Sequence, residues 1–575
     1  MKENCLYQPE EVLDFKHLLK RTVKLYGNKV AFIYKKNPEA KNPVYIQKTY
    51  CDFQSDINGL GTRLLDLGLE NKRVAIIAPN RYEWCVSYLA ITTANIVVVP
   101  LDKSLPENEI ESLILRSEVE AIIFDSKYLD ILEKIREKNI SNLKHYICMD
   151  FSTSTENILS YFQLVQEGKN LISSGDKRLN NIIIDKNKMT SMLFTSGTTS
   201  ISKAVMLSQS NICSNINQIR SIVNIKPENV FLSFLPLHHT FECSCTFLTG
   251  ITCGITIAFC DGLKHVTQNL KEYKITGFVC VPLMLEAMYK KIMKGIEKSG
   301  KTKLINFMVP ITNFLAKCGI NVKRKVYKEI LDQLGGHLDL IIYGAAPMSK
   351  EVIKGLTSFG LSLDQGYGLT ETSPVLCGET DRLKKPGSCG VPLKGVDLKI
   401  INPDENGIGE IIASGPNIML GYYNNEEATK EALQDGYFHT GDLGYLDKDG
   451  CIFVTGRKKS VIVLKNGKNI FPEELETLIN KLPFVEESIV YGKPTKDGDL
   501  DLCAKIVYNE QLLKEFFPEA KKENYYDIIL KEVKQINKTM PAYKYIRQIM
   551  VTEEPLIKTT TQKVKRHEEI KKILG

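Results

Sequence analysis

In the stretch MLFTSGTTSISKAVMLS an apolar run ends in Thr195, Ser196, Gly197, Thr198, Thr199 and Ser200, and Lys203 stands before a second apolar run. Hydroxyls, loop amides and a lysine at the end of a strand make a site for phosphate oxygens, although such a loop taken alone is more often only a loop. It is not the GxxxxGK[ST] pattern, which does not occur in the chain. Further on, DQGYGLTETSP gathers Tyr367, Gly368, Thr370 and Glu371 behind an expected strand. An aromatic face, a hydroxyl and a carboxylate are the parts needed to stack a base and hold a magnesium ion. The bland reading of the same residues is a surface turn with a helix cap. Asp442 in FHTGDLGYLDKDG precedes Arg457 in VTGRKKSVIV by 15 residues. A carboxylate can accept both hydroxyls of a ribose, and an arginine fork can support the sugar or a phosphate; singly, such a pair is usually a surface ion pair.

The elements that must position these groups are legible as short β-branched runs alternating with helix-period segments: RVAIIA from Arg73, NIVVVPLD from Asn95, AIIFD from Ala121, GFVCVP from Gly277 and LDLIIYG from Leu338. That is the pattern of buried, mostly parallel strands joined by helical crossovers, so the fold class is α/β. From about Leu398 to Val454 turn signals such as NPDENG and LDKDG predict a small antiparallel barrel or distorted sheet. Beyond Lys459, FPEELETLINKL with Pro472 near its start predicts a helix, followed by strands ESIVYG and DLCAKIVY and a helix near Tyr525 to Thr539. The expected division is a large N-terminal domain, residues 1–457, and a small α+β domain, residues 458–575. Cys243 to Cys260 runs 18 residues without a charge. Its Thr, Cys and Gly content, with breaks at Gly250 and Gly254, predicts a buried helix and a buried strand rather than a membrane span.

A chain of 575 residues is too long for one core. With 43% hydrophobic and 25% charged residues it reads as a soluble globular protein. The formal charge of +7 is small for the length and spread along the chain, which argues against nucleic acid as a partner. Fifteen cysteines lack metal-ligand spacing apart from the tight Cys243 and Cys245, and MKENCLYQPEEVLDF has no apolar signal region, so reduced thiols in a cytoplasm are expected.

Together with LPLHHTFE (235–242), YGAAPM (343–348), GPNIMLGYYN (415–424) and PLIKTTTQKVKR (555–566), these segments resemble, in order and spacing over nearly the whole chain, the AMP-binding superfamily of adenylate-forming enzymes. LPLHHTFE, GRKKSVIVLKNGKNIFPEELE and KTTTQKVKR look most like bacterial long-chain fatty acyl-CoA synthetases. The resemblance implies attack of a carboxylate on the α-phosphorus of ATP with Mg2+, giving acyl-AMP and pyrophosphate, then thiolysis by coenzyme A. It implies that Thr195 to Lys203 hold the β and γ phosphates, Glu371 binds magnesium, Thr370 contacts the α-phosphate, and Gly344, Ala345 and Tyr367 frame adenine with Gly368 beside them. Asp442 and Arg457 match the ribose contacts. Lys563 matches the lysine that bridges acyl carboxylate and α-phosphate, a placement that neutralises charge as it builds in the transition state. Lys459 matches the hinge about which a mobile C-terminal domain rotates, bringing the segment around Gly467 to line a pantetheine channel. His239 matches a histidine between acyl pocket and thiol entrance, with His238 where an aromatic neighbour is common. Small residues near Gly366 and Gly368 are expected to let an apolar tail pass beside the sheet.

Departures from the family pattern are Ser200, Ser202 and Ala204 in the phosphate loop, where Gly, Pro and Gly are commonest, and Ser460, where an acidic residue is common. Alternatives on the same fold are an aryl- or medium-chain acid:CoA ligase and an acyl carrier protein ligase. A non-catalytic nucleotide or lipid sensor is the reading from another class. The Lys-rich ending (Lys558, Lys563, Lys565, Arg566, Lys571, Lys572) reads as a solvated helix face, with peripheral contact to anionic membrane lipid or to the CoA phosphates as the alternative.

Overall fold

The β-branched runs become the middle strands of two large sheets. The structure, a computed structural model, describes residues 5–139, 141–195, 202–464, 469–495, 500–558 and 564–575. In the first sheet, of nine strands, Ser362–Gly368, Leu340–Gly344, Gly277–Cys280, Val230–Ser233, Thr256–Phe259 and Val30–Lys35 lie parallel in that order, with antiparallel strands at both edges. In the second, of eight strands, Met189–Thr195, Val97–Pro100, Arg73–Ile77, Ala121–Phe124 and His145–Cys148 lie parallel, and Lys203–Ser208 turns back against Met189–Thr195.

The continuous apolar character of these strands follows from burial on both faces. Along the second sheet Ile76, Val98 and Ile123 point into one core, while their neighbours Ile77, Val99 and Ile122 point into another. Successive side chains of a strand alternate faces, so a strand between two cores needs an apolar residue at every position.

The uncharged segment is folded inside the protein. Phe241–Leu248 forms a π-helix, Thr249–Cys253 continues it as α-helix, and Gly254 at φ +76° ends it before the strand Thr256–Phe259. Among the described residues no helix is long and apolar enough to cross a membrane. All fifteen cysteines are free thiols.

The turn-rich region forms a distorted five-stranded antiparallel sheet. Its central strand Tyr437–Leu446 pairs with Gly409–Ser414 on one side and Ile452–Arg457 on the other, and both ladders carry register shifts. The smaller C-terminal domain has a three-stranded sheet, Val485–Pro494, Leu500–Tyr508 and Gln548–Thr552, covered by the helices Pro472–Ile479 and Tyr525–Asn537. Its core, with Ile470, Leu475, Val490, Ile506, Ile529 and Val533, draws only on residues after 461. Pro472 sits in the first turn of its helix, where the missing N–H costs nothing.

Candidate active site

Thr195, Pro100, Ser233, Cys280, Gly344 and Gly368 are carboxyl ends of parallel strands, or of the strand that ends beside them. In open α/β sheets that edge is where ligands bind. A cleft of ≈ 3460 Å³ opens there, lined by Thr195, Lys203, His239, Gly344, Ala345, Tyr367, Gly368, Thr370, Glu371, Asp442, Arg457 and Lys459. It is several times the size of a single small-ligand pocket, so it has room for more than one reactant. Ser196, Gly197, Thr198, Thr199, Gly467 and Lys563, and with them Ser200, lie outside the described residues.

Three of the predicted residues form one bonded group. Asp442 and Arg457 are partners in register on adjacent strands, and Arg457 Nε lies 3.0 Å from Asp442 Oδ1 as an ion pair. Tyr367 Oη donates to Asp442 Oδ2 at 2.8 Å. The carboxylate is only 5% exposed. Both oxygens are therefore fixed by side chains, and each keeps lone-pair capacity for a further donor. Asp442 in turn raises the pKa of the Arg457 guanidinium, and burial pushes the Tyr367 phenol well above its ordinary range.

A second group joins the foot of the phosphate loop to Glu371. Thr195 and Lys203 are opposite each other at the mouth of the hairpin that carries the loop. Lys203 Nζ lies 4.6 Å from the centre of the Tyr422 ring, a cation–π distance, and Tyr422 Oη donates to Glu371 Oε1 at 2.9 Å. Tyr422 reaches this place because Gly421–Tyr422 adds a short antiparallel strand to Lys203–Ser208. Arg116, from the helix Glu107–Ser117, donates to Ser202 Oγ at 3.0 Å and stacks its guanidinium 5.2 Å from the Phe194 ring. Ser202, where proline is commonest in the family, thus supplies a hydroxyl that ties the loop to a distant helix. Neither Tyr422 nor Arg116 was singled out from sequence; Tyr422 lies inside GPNIMLGYYN, and nothing local marks Arg116.

The strand ends leave a bare backbone surface. A Cβ on Gly344 would meet the carbonyl oxygen of Gly366 at 2.7 Å, and Ala345 follows at φ +73°. At Gly368 a Cβ would fall 1.8 Å from the Pro374 carbonyl oxygen. Its missing side chain is demanded by the following loop, whereas at Gly366 the nearest atom to an added Cβ is the Cys377 carbonyl oxygen at 3.6 Å, an ordinary van der Waals contact.

Deeper in the cleft the lining turns apolar with Ile219, Ile222, Leu235, Phe241, Ile342 and Val375. His239 is on the wall, its ring centre 4.3 Å from that of His238. His238 is buried, with Nε2 3.5 Å from Asp102 Oδ2, and both histidines and Asp102 have a nitrogen or oxygen within 4.8 Å of one another. Glu242 also lines this region, is fully buried, and has its pKa raised to about 8 by desolvation, with a hydrogen bond from Thr246 Oγ1 at 3.0 Å. Lys459 is exposed in the turn Lys458–Ser460, directly after the strand that ends at Arg457. From the C-terminal domain, Glu473, Glu476 and Arg566 reach the cleft, and Arg566 Nη2 donates to both oxygens of Glu476 at 2.7 Å.

Two parallel sheets whose strand ends face one cleft, an anchored carboxylate–arginine pair and a small following domain define the architecture of the adenylate-forming enzymes. The chain belongs to that family: residues 19–423 match the AMP-binding enzyme family and residues 459–573 match the AMP-binding enzyme C-terminal domain. It is 26% identical to the chloroplastic long-chain fatty acid–[acyl-carrier-protein] ligase AEE15 of Arabidopsis thaliana, over 94% of this chain and 83% of that one. It is also 26% identical to the long-chain fatty acid–CoA ligase FadD15 of Mycobacterium bovis, over 78% and 76%. Among solved structures it is similar to the anthranilate CoA ligase AuaEII in complex with anthranoyl-AMP (TM-score 0.77, 19% identity, 98% of both chains). ATP-bound MatB from Rhodopseudomonas palustris gives a TM-score of 0.73 at 22% identity, over 98% of this chain and 100% of that one. The chain is thus an enzyme of the AMP-forming acid–thiol ligase family.

Proposed function

We propose that the protein is an ATP-dependent long-chain fatty acid:CoA ligase, acting through an acyl-AMP intermediate. The observation that carries this reading is the Tyr367–Asp442–Arg457 group standing in the same cleft as the Lys203–Tyr422–Glu371 group, with an apolar compartment beyond them.

Attack of one anion on another requires concentrated positive charge and fixed geometry. Asp442, held by Arg457 and Tyr367, would accept the ribose hydroxyls, and the bare edge at Gly344 and Ala345, with the Tyr367 ring, would receive adenine. Lys203 and the hydroxyls of Thr195 to Thr199 would hold the β and γ phosphates, and Thr370 the α-phosphate. Glu371 is a carboxylate positioned at one oxygen by Tyr422, a donor type that suits a hard cation, so the site fits Mg2+, which when bound would offset phosphate charge. Lys563 would bridge the acyl carboxylate and the α-phosphate as pyrophosphate leaves. The acyl chain would lie in the compartment of Ile219, Leu235 and Val375, passing Gly366.

For the second step we propose rotation of residues 458–575 about Lys459, which withdraws Lys563 and brings the Gly467 segment to the pantetheine arm of CoA, with His239 beside the thiol entrance. The similarity to a plant acyl-carrier-protein ligase over nearly the whole chain favours one second reading, in which the thiol is carried by acyl carrier protein. The test is ATP-dependent thioester formation with acids from acetate to oleate and aryl acids, using CoA and acyl carrier protein separately. Turnover that peaks at long chains with CoA is expected; a peak at aryl or short acids would overturn the substrate class.

A further inference from the structure

The helix Thr302–Lys317 is apolar on two sides, with Ile305 and Val309 packed inward against the core of the nine-stranded sheet. Its polar residues Thr312 and Asn313 face the protein, where Thr312 Oγ1 and Tyr327 Oη share a hydrogen bond of 2.9 Å and Asn313 Nδ2 donates to Ser358 Oγ at 3.0 Å. Its outer face carries Leu304, Phe307, Ile311 and Phe314, exposed by 56%, 67%, 39% and 67%. At positions i, i+3, i+7 and i+10 these four form one stripe along the axis. Leaving two phenylalanines two-thirds in water is unfavourable by the same hydrophobic effect that builds the core, and a contiguous stripe of this kind marks a surface that meets something apolar.

The charge around the stripe identifies what it meets. From residue 302 to residue 328 the chain has six basic residues, Lys303, Lys317, Lys323, Arg324, Lys325 and Lys328, and not one Asp or Glu. Counted along the sequence, these six lie in and directly after the most exposed aromatic helix, and Lys323 Nζ donates to the Thr357 carbonyl at 3.1 Å. Arg324 and Lys328 pair with Asp339 and Asp332; Lys303, Lys317 and Lys325 make no ion pair among the described residues. A second copy of the chain on this face would bring two such blocks together and repel. An anionic bilayer satisfies both features, since aromatic and aliphatic side chains enter the acyl boundary while lysines reach the headgroup phosphates.

We propose that the Thr302–Lys317 helix docks the protein on an anionic phospholipid surface, lying in the interface plane with Phe307 and Phe314 inserted. Thr302, its first residue, lines the cleft, as do Leu283 and Met293 of the preceding helix Pro282–Lys298, so the docked face adjoins the cleft wall. This assignment moves the lipid contact away from the Lys-rich ending. There Lys558, Lys565, Arg566 and Lys572 are each paired with a glutamate, Glu487, Glu568, Glu476 and Glu554. The inference does not depend on the substrate class.

The experiment is flotation of the full chain with vesicles of phosphatidylcholine alone and of phosphatidylcholine with an equal part of phosphatidylglycerol. The protein is expected to float with the anionic vesicles, less so as salt shortens the screening length. Phe307→Glu/Phe314→Glu should weaken flotation at least about tenfold, and Lys303→Gln/Lys317→Gln/Lys325→Gln should abolish the preference for anionic lipid. Circular dichroism and the thermal midpoint should stay as in the wild type, because these side chains face solvent. Wild-type protein that stays with neither vesicle, or a phenylalanine variant that floats like the wild type, overturns the proposal. So does a wild-type dimer that the phenylalanine substitutions dissociate without any vesicle binding, which assigns the face to a second copy.

Discussion

Arg457 Nε and Asp442 Oδ1 meet at 3.0 Å across the last rungs of an antiparallel ladder, while Tyr367, from a different sheet, donates to the other carboxylate oxygen. The group therefore ties the turn-rich sheet to the end of a parallel strand at the wall of the cleft.

Replacing Asp442 with Ala removes the acceptor for Tyr367, the ion-pair partner of Arg457 and the proposed acceptor of the ribose hydroxyls. Loss of a hydrogen bond to a charged group is worth about 1.5–3 kcal/mol, so the KM for ATP should rise roughly 10- to 100-fold in ATP–pyrophosphate exchange, with a smaller change in kcat. An unchanged KM would remove Asp442 from nucleotide binding.

Tyr422 does two separable things. Tyr422→Phe keeps the ring under Lys203 and deletes the bond to Glu371, while Tyr422→Leu deletes both. With about 1 kcal/mol for each contact, the first should cost roughly fivefold in exchange rate and the second several-fold more. The Phe variant should also need more Mg2+ for half-maximal rate. Equal Mg2+ dependence in all three proteins would detach Glu371 from the metal.

Glu242 sets a pH dependence of stability. Its pKa of about 8 in the folded protein lies above the ordinary 4.5, because desolvation favours the neutral form. The folded state therefore holds a proton that the unfolded chain has released. Stability from this group is intact below pH 4.5 and declines as pH rises towards 8, by up to several kcal/mol. Glu242→Gln removes the titration, so its thermal midpoint relative to wild type should climb from pH 5 to pH 8. Glu379, raised to about 7 by burial, titrates in the same direction but is common to both proteins and cancels. A difference that stays flat with pH would contradict the assignment.

The fold was legible where local pattern and burial coincide. Strands such as Ala121–Phe124 and Leu340–Gly344 are apolar at nearly every position because two cores enclose them, and Pro472 and the turn signals fixed where later elements begin. That Tyr367, Asp442 and Arg457 come together in one cleft was legible because each lies in a short motif of distinctive order. What stayed hidden is long-range: Tyr422 to Glu371 spans 51 positions and Arg116 to Ser202 spans 86. The proton on Glu242 depends on burial inside a π-helix, which no residue type announces. The Thr302–Lys317 stripe has the periodicity of a core helix, and only its exposure reveals that an apolar stripe also faces outward.

The central claim is that adenylation and thiolysis are separate steps served by different parts of the C-terminal domain. The most direct test is Lys563→Ala, assayed in two halves: acyl-AMP formation from palmitate and ATP, and thioester formation from supplied palmitoyl-AMP and CoA. Adenylation should fall by about 10²- to 10³-fold, the loss expected for removing one positioned group that offsets transition-state charge, while thiolysis stays close to wild type. Equal loss in both halves, or unimpaired adenylation, would contradict the account.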